Sequence, residues 1–464
     1  MIQRQRNAAF VAVLVLLAVV VAACIEDLRL DSCSEEEGGC KEGMVCRKGR
    51  CFHWVPPWEV PPCSSPVAKG RCCDMEQTVI PDNGDCRLPL LEGADAISAP
   101  SLGPDGTVVV AVREGTKLSV IAVRPNGSEA WREIVDNAHT GVPSIVRVAD
   151  DGRAFMDQGD VLWTRSPEGA VSTMTVDGTI DGGFAVCAGV VAVALVRGTD
   201  KRGVVRLGEL GEDVGDWQLD YSLDILPTLP PAISVPDDAV ATAWSDGTVV
   251  IYDLSTGKAS EPWSNLHTEA GITGLAADGE GHLWVSTANG TIERLSMQAG
   301  SRKDLMSTHL RVELGTGVHT PPVLPWGNAV VIGLDDGWVV QGDEANNTDP
   351  IPLKKLVTKA PGALTLLEGE GFQLLGDCPE GRCLSIFYGD STSYFGEVFE
   401  YKGEHRHSWL PAEAAVGLPG PEGLAALVSN GSLEGHLVAG PTRDAPWPGP
   451  DGGSGNGRCV EEWR

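Results

Sequence analysis

The chain has 464 residues with 64 acidic against 35 basic side chains, a formal charge of -29 that excludes a nucleic-acid-binding role driven by phosphate contacts. Glycine (57) and proline (31) together make up about 19% of it, while 42% is hydrophobic, so a large core has to be built from short elements broken by turns. These figures also exclude collagen, a coiled coil, a multi-span membrane protein and a disordered acidic chain, and the 13 cysteines, an odd number, imply that one differs in fate from the other twelve.

The first segment accounts for that odd cysteine. Arg4 and Arg6 precede an uncharged apolar run of about 14 residues, FVAVLVLLAVVVAA, which ends at Cys24. At about 1.5 Å per residue such a run is too short to cross a hydrocarbon core of about 30 Å as a helix, and it reads as a secretory signal peptide. The junction Val21-Ala22-Ala23-Cys24 resembles the bacterial lipoprotein signal, in which the cysteine thiol receives a diacylglycerol and becomes the first mature residue. Ordinary signal-peptide cleavage, with Cys24 joining a disulfide, is the competing reading. The resemblance implies residues 1–23 as leader, residues 24–32 as tether and acyl chains, palmitate among them, that hold the protein in a membrane. Loss of the leader removes two arginines and leaves 33 basic against 64 acidic residues, a mature charge near -31. Ile25 stands where the resemblance would place an aspartate for inner-membrane retention, which favours the outer membrane of a bacterial envelope.

Residues 33–90 carry eight of the remaining cysteines: Cys33, Cys40, Cys46, Cys51, Cys63, Cys72, Cys73 and Cys86. The opening CSEEEGGCKEGMVCRKGRC has almost no apolar side chains, so crosslinks have to replace a core. Its C-x-x-G-x-x-C-x-x-G-x-C core resembles short cysteine-rich modules of secreted proteins. A zinc site is disfavoured because no C-x2-C pair occurs there and histidine is almost absent. The connectivity of the eight stays open. Between the two cysteine groups, HWVPPWEVPP reads as a stiff spacer.

From residue 91 to about 450 the chain is a repeat. Its clearest unit, LPPAISVPDDAVATAWSDGTVVIYDLSTGKASEPW, has a proline entry, an apolar strand, an Asp-Gly turn, a second apolar strand, a Thr-Gly turn and a closing Trp263. It predicts four short antiparallel strands. Other units close at Trp131, Trp217, Trp409 and Trp447, with a spacing of about 45 residues, the period of a β-propeller with one four-stranded sheet per unit. The expected fold class is all-β, a propeller of eight blades, with seven as the alternative. The pairs Asp246-Gly247, Asn289-Gly290 and Asp336-Gly337 supply the positive φ angles of tight hairpins. The segment DGTVVIYDLSTGKASEPW resembles the quinoprotein-type (PQQ-like) repeat through Asp246, Gly247, Asp253, Thr256, Gly257 and Trp263, with Ile251 in place of the usual alanine and a longer interval to the tryptophan. That resemblance implies a tryptophan between adjacent blades. It covers quinone-dependent dehydrogenases and also non-enzymatic outer-membrane lipoproteins.

The second branch is the expected one. A quinone dehydrogenase needs calcium ligands, a catalytic carboxylate and commonly a vicinal disulfide over the cofactor. Cys72-Cys73 is vicinal but falls in the cysteine-rich module, and no C-x-x-C-H haem site occurs. Neither quinone nor calcium is therefore expected as a cofactor, no catalytic residue is assigned, and no metal site is assigned to His405 and His407 or to the linker residues His267 and His319. Cys378 and Cys383 are expected to close a small hairpin loop, while Cys187 and Cys459 are a pair or leave a free thiol. Residues 451–464 read as a glycine-rich tail. Ring closure predicts that the segment CRLPLLEG and the terminal CVEEWR meet. The expected function is a lipid-anchored, extracytoplasmic, non-catalytic module that binds a protein partner at the envelope and no nucleic acid. The alternatives are a quinone-dependent alcohol or sugar dehydrogenase and a carbohydrate-binding surface protein.

Overall fold

The computed structural model describes residues 44–47 and 50–53, most of 87–343, parts of 351–437, and 459–460; every regular element among them is a β-strand. The chain divides into two units, Met1–Pro56 and Pro57–Arg464. In the first, the strands Met44–Arg47 and Arg50–His53 form an antiparallel hairpin in which Cys46 lies directly across from Cys51.

In the second unit the described strands form eight sheets, seven of four strands and one of five. Taken by their first strands, the sheets begin at Ala96–Ile97, Val146–Val148, Thr179–Cys187, Ala232–Ser234, Ile272–Ala277, Val323–Trp326, Leu364–Leu367 and Ala414–Gly417. Each continues outward through antiparallel neighbours, as in sheet five, where His282–Thr287, Thr291–Ser296 and Arg311–Glu313 follow in order. First strands of successive sheets approach one another: Thr179–Cys187 is close to both Val146–Val148 and Ala232–Ser234, and Ala232–Ser234 to Ile272–Ala277. They therefore face the axis of the ring, as expected for propeller blades.

The second strands explain why no blade stands alone. All five residues of Ala239–Ala243 are buried, as are the first five of Val108–Glu114, because neighbouring blades cover both faces of each sheet. The core accordingly lies between blades. Val109, Ala111 and Val120 of sheet one pack with Val146, Met156 and Trp163 of sheet two. Ala185 and Cys187 of sheet three pack with Ile233, Val240, Trp244 and Tyr252 of sheet four. Each fully buried Val, Ile or Leu contributes about 1.5–3 kcal/mol relative to exposure.

The turns that join second and third strands repeat in sheets four, five and six. Gly247, Gly290 and Gly337 have φ of +79°, +87° and +85°. The Gly247 amide donates to the Trp244 carbonyl at 2.8 Å and the Gly337 amide to the Leu334 carbonyl at 2.8 Å. Neither Asp246 nor Asp336 has positive φ. The hairpins are thus type I turns followed by a left-handed glycine rather than the two-residue mirror-image turn, and the Asp246 carboxylate accepts the Thr248 amide at 2.9 Å.

The two ends of the propeller join different sheets. Arg87–Leu91 is the outermost strand of sheet eight and pairs with Ser432–Leu437 from Arg87↔His436 to Leu91↔Leu433. It lies ahead of the expected boundary at residue 91, because the apolar Leu88 and Leu90 alternate as an edge strand requires. The C-terminal Cys459–Val460, within the expected glycine-rich tail, pairs in parallel with Ala232–Ser234 of sheet four. The anticipated meeting of CRLPLLEG with CVEEWR is therefore not what closes the ring: the first segment completes sheet eight, and the second occupies the axial edge of sheet four.

Candidate functional site

One end of the ring carries the turns between first and second strands, and in sheets four and five these turns gather a polar cluster close to the axis. Ser234 ends the axial strand of sheet four, and residues 235–238 turn back toward Ala239, with Asp238 in the left-handed region at φ +51°. Inside this turn the Ser234 hydroxyl donates to Asp237 Oδ2 at 2.5 Å. In the equivalent turn of sheet five, the fully buried Asp278 accepts the amides of Glu280 and His282 through Oδ1 at 2.8 and 2.9 Å. The glycines at 279 and 281, with φ of +71° and +96°, let the backbone wrap around that carboxylate.

Arg294 reaches the same place from the third strand of sheet five. Its Nη2 stands 2.7 Å from His282 Nδ1 and 3.5 Å from Asp278 Oδ2, and its guanidinium carbon lies 5.6 Å from the ring centroid of Trp284, its cross-strand partner. A guanidinium can only donate, so the 2.7 Å contact assigns the Nδ1 lone pair to Arg294 and the ring proton to Nε2. Asp278 Oδ2 at 3.0 Å from Nδ1 is then a close electrostatic neighbour rather than an acceptor from that atom.

Burial raises the Asp237 carboxyl above its ordinary value; the Ser234 hydrogen bond opposes the shift, and the negative charges of Asp278 and Glu280 add to it. Asp278, His282 and Arg294 form a network that ties one turn to the third strand of its sheet, whereas half-buried Asp237 and exposed Glu280 offer acceptor oxygens to solvent. Chemically this surface can accept hydrogen bonds from donors. No group of three or more His, Cys, Asp or Glu among the described residues is arranged to hold a metal ion.

The residues singled out in the sequence are dispersed relative to this cluster. Trp131 lies in the outermost strand of sheet one, Glu129–Val135, packed against the core between sheets one and two, with the Arg165 guanidinium 4.1 Å from its ring centroid and Arg165 also 3.3 Å from Glu133. Trp217 begins the last strand of sheet three. Cys187 and Cys383 are buried and disulfide-bonded. Cys378 ends the strand Gly371–Cys378 opposite Gly381, two residues out of register with Cys383. Cys24, Cys33, Cys40, Cys63, Cys72, Cys73, Cys86, Trp263, Trp409, Trp447, His267, His319, His405 and His407 lie outside the described residues, as does the apolar run that ends at Cys24. No helix of the described residues is long and apolar enough to cross a membrane.

The polar cluster was missed in the sequence. Its signal is a turn, DGEGH, whose aspartate and histidine are four apart, with an arginine opposite in the next strand. A second unrecognised repeat is a hydroxyl thirteen residues ahead of its partner: Ser98 Oγ accepts the Ala111 amide at 2.9 Å, Thr273 and Ser286 hydroxyls lie 3.0 Å apart, and Thr320 Oγ1 accepts the Gly333 amide at 2.7 Å.

No family model matches the chain, and no curated protein sequence matches it. Among solved structures it is similar to one described as the Dos1 propeller, with a TM-score of 0.52 and 11% identity over 77% of this chain and 95% of that one. It is also similar to Sqt1 from Chaetomium thermophilum, with a TM-score of 0.51 and 13% identity over 75% of this chain and 96% of that one. At such identities the likeness shows the fold: the chain is a β-propeller.

Proposed function

We propose that the chain is a lipid-anchored, extracytoplasmic β-propeller of the PQQ-like type that binds a protein partner at the bacterial envelope and catalyses no reaction. The observation that carries this reading is the closed ring of eight sheets, a rigid frame on which the intervening turns are displayed while the strands are committed to packing. The acceptor surface of Asp237 and Glu280 near the axis, beside the Asp278–His282–Arg294 network, suits a partner that presents basic or amide groups. The lipoprotein-like junction at Cys24 supports the anchor, and the Asp246 to Trp263 segment supports the quinoprotein-type kinship without its catalytic equipment. A mature charge near -31 disfavours direct adhesion to anionic headgroups, so the acyl chains would hold this surface near the membrane.

The test is purification of the full chain from bacterial membranes beside a Cys24→Ser variant, with chemical crosslinking in the intact envelope. Expected are membrane retention that is lost in the variant and a discrete crosslinked partner that is lost on Asp237→Ala and Glu280→Ala substitution. Dye reduction with alcohols or sugars after addition of pyrroloquinoline quinone and calcium would overturn the non-catalytic reading.

A further inference from the structure

We propose that Cys459 is the disulfide partner of Cys187, so that the last strand of the chain is fastened covalently to the axial strand of sheet three as well as hydrogen-bonded along sheet four. Cys187 is 1% exposed, ends the strand Thr179–Cys187 and is disulfide-bonded. Its partner therefore has to reach a buried, axial position between sheets three and four. The terminal strand is placed there. Cys459 is in register with Ile233, Ile233 belongs to the same buried cluster as Cys187, and Cys459–Val460 comes within 8 Å, Cα to Cα, of Thr179–Cys187. A disulfide needs Cα atoms about 4.4–6.8 Å apart, a separation two neighbouring strands supply. Cys383 is also disulfide-bonded, and it lies on Gly381–Phe387, the third strand of sheet seven.

A ladder of two residue pairs, Ile233↔Cys459 and Ser234↔Val460, is too short to hold a chain end by itself. The crosslink converts it into a permanent clasp: the axial hydrogen-bonding edge of Ala232–Ser234 is occupied by the protein's own terminus and is closed to any other strand. The bond forms between the two sulfurs as the two thiols give up two electrons and two protons to a protein disulfide of the extracytoplasmic compartment, which leaves as a dithiol. The proposal depends on the envelope location for that oxidant alone.

The test uses the full-length chain exported by a bacterial host, with free thiols alkylated before lysis and tryptic digestion under non-reducing conditions. Cleavage after Arg458 releases residues 459–464, CVEEWR, and cleavage after Arg165 and Arg197 releases residues 166–197, which contain Cys187. The expected result is a single disulfide-linked species of these two peptides that separates on reduction. CVEEWR linked to another cysteine peptide, or alkylated while Cys383 is crosslinked, overturns the clasp and leaves the location standing. Alkylation of Cys459 together with Cys187 and Cys383 overturns both.

Discussion

Leu90 tests whether the strand Arg87–Leu91 closes the ring by packing or merely lies against it. The side chain is 6% exposed and belongs to a core that draws on both ends of the propeller, with Leu102, Val108 and Val110 of sheet one and Val428 and Leu433 of sheet eight. Leu90→Ala deletes three carbons, worth about 2.4 kcal/mol at about 0.8 kcal/mol each. The cavity left between two sheets raises the expected loss to about 3 kcal/mol, within the range of about 2–5 kcal/mol for such truncations. Ile134→Ala is the matched control, because Ile134 is 61% exposed on the outer strand of sheet one and its truncation should change stability by no more than about 0.5 kcal/mol. Urea unfolding followed by tryptophan fluorescence measures both, the midpoint shift being converted at constant slope. A loss below about 1 kcal/mol for Leu90→Ala, indistinguishable from the control, would refute closure by this strand.

Three further substitutions probe the cluster and the turns. Removing the fully buried Asp278 by Asp278→Ala strips two amides of their acceptor and leaves Arg294, 6% exposed, beside an uncompensated hole; a loss of about 3 kcal/mol or more is expected in the same unfolding assay. Because burial raises the Asp237 carboxyl in the folded protein, its contribution to stability is complete below 3.8, the ordinary value, and is lost as pH rises through the higher folded value. Asp237→Asn should therefore be at least as stable as the parent at pH 7 and lose that relative advantage below pH 3.8, as read from unfolding midpoints across a pH series. Gly247→Ala forces a side chain into φ +79° and should cost about 1–2 kcal/mol, whereas Ser245→Ala in the same turn, at an exposed position, should cost well under that; thermal unfolding distinguishes them.

The fold was legible because the repeat is written twice, in apolar runs such as Val108–Val112 and in the Asp-Gly or Asn-Gly pairs that follow the second strands of sheets four to six. The turn type was not, since a dipeptide does not tell whether one or both of its residues adopt positive φ. Among the tryptophans, the sequence drew attention to those that close repeats, whereas the fully buried ones among the described residues are Trp244 and Trp284. Both stand in or beside second strands, where a run of apolar letters conceals which residue points between blades. The Asp278–His282–Arg294 network was hidden because its members are joined by a turn and a strand register, neither of which a linear spacing displays. The terminal strand was illegible for a stronger reason: CVEEWR follows a glycine-rich stretch and has no alternation, and only the empty axial edge of sheet four makes it a strand.

The pairing of Arg87–Leu91 with Ser432–Leu437 has a consequence for the order in which the molecule can assemble. Its partners are separated by about 350 residues, so the first strand of the propeller to emerge during synthesis is among the last to find its place. About three doublings of loop length separate this closure from a contact within one 45-residue repeat, which adds only about 2 kcal/mol of loop entropy. The obstacle is thus one of time. Until the eighth sheet exists, the apolar face of sheet one that Leu90 will cover is open to water, and the growing chain has to be shielded there from its neighbours. A truncation after sheet seven would leave both that face and the Arg87–Leu91 strand without partners, and its characteristic failure would be aggregation.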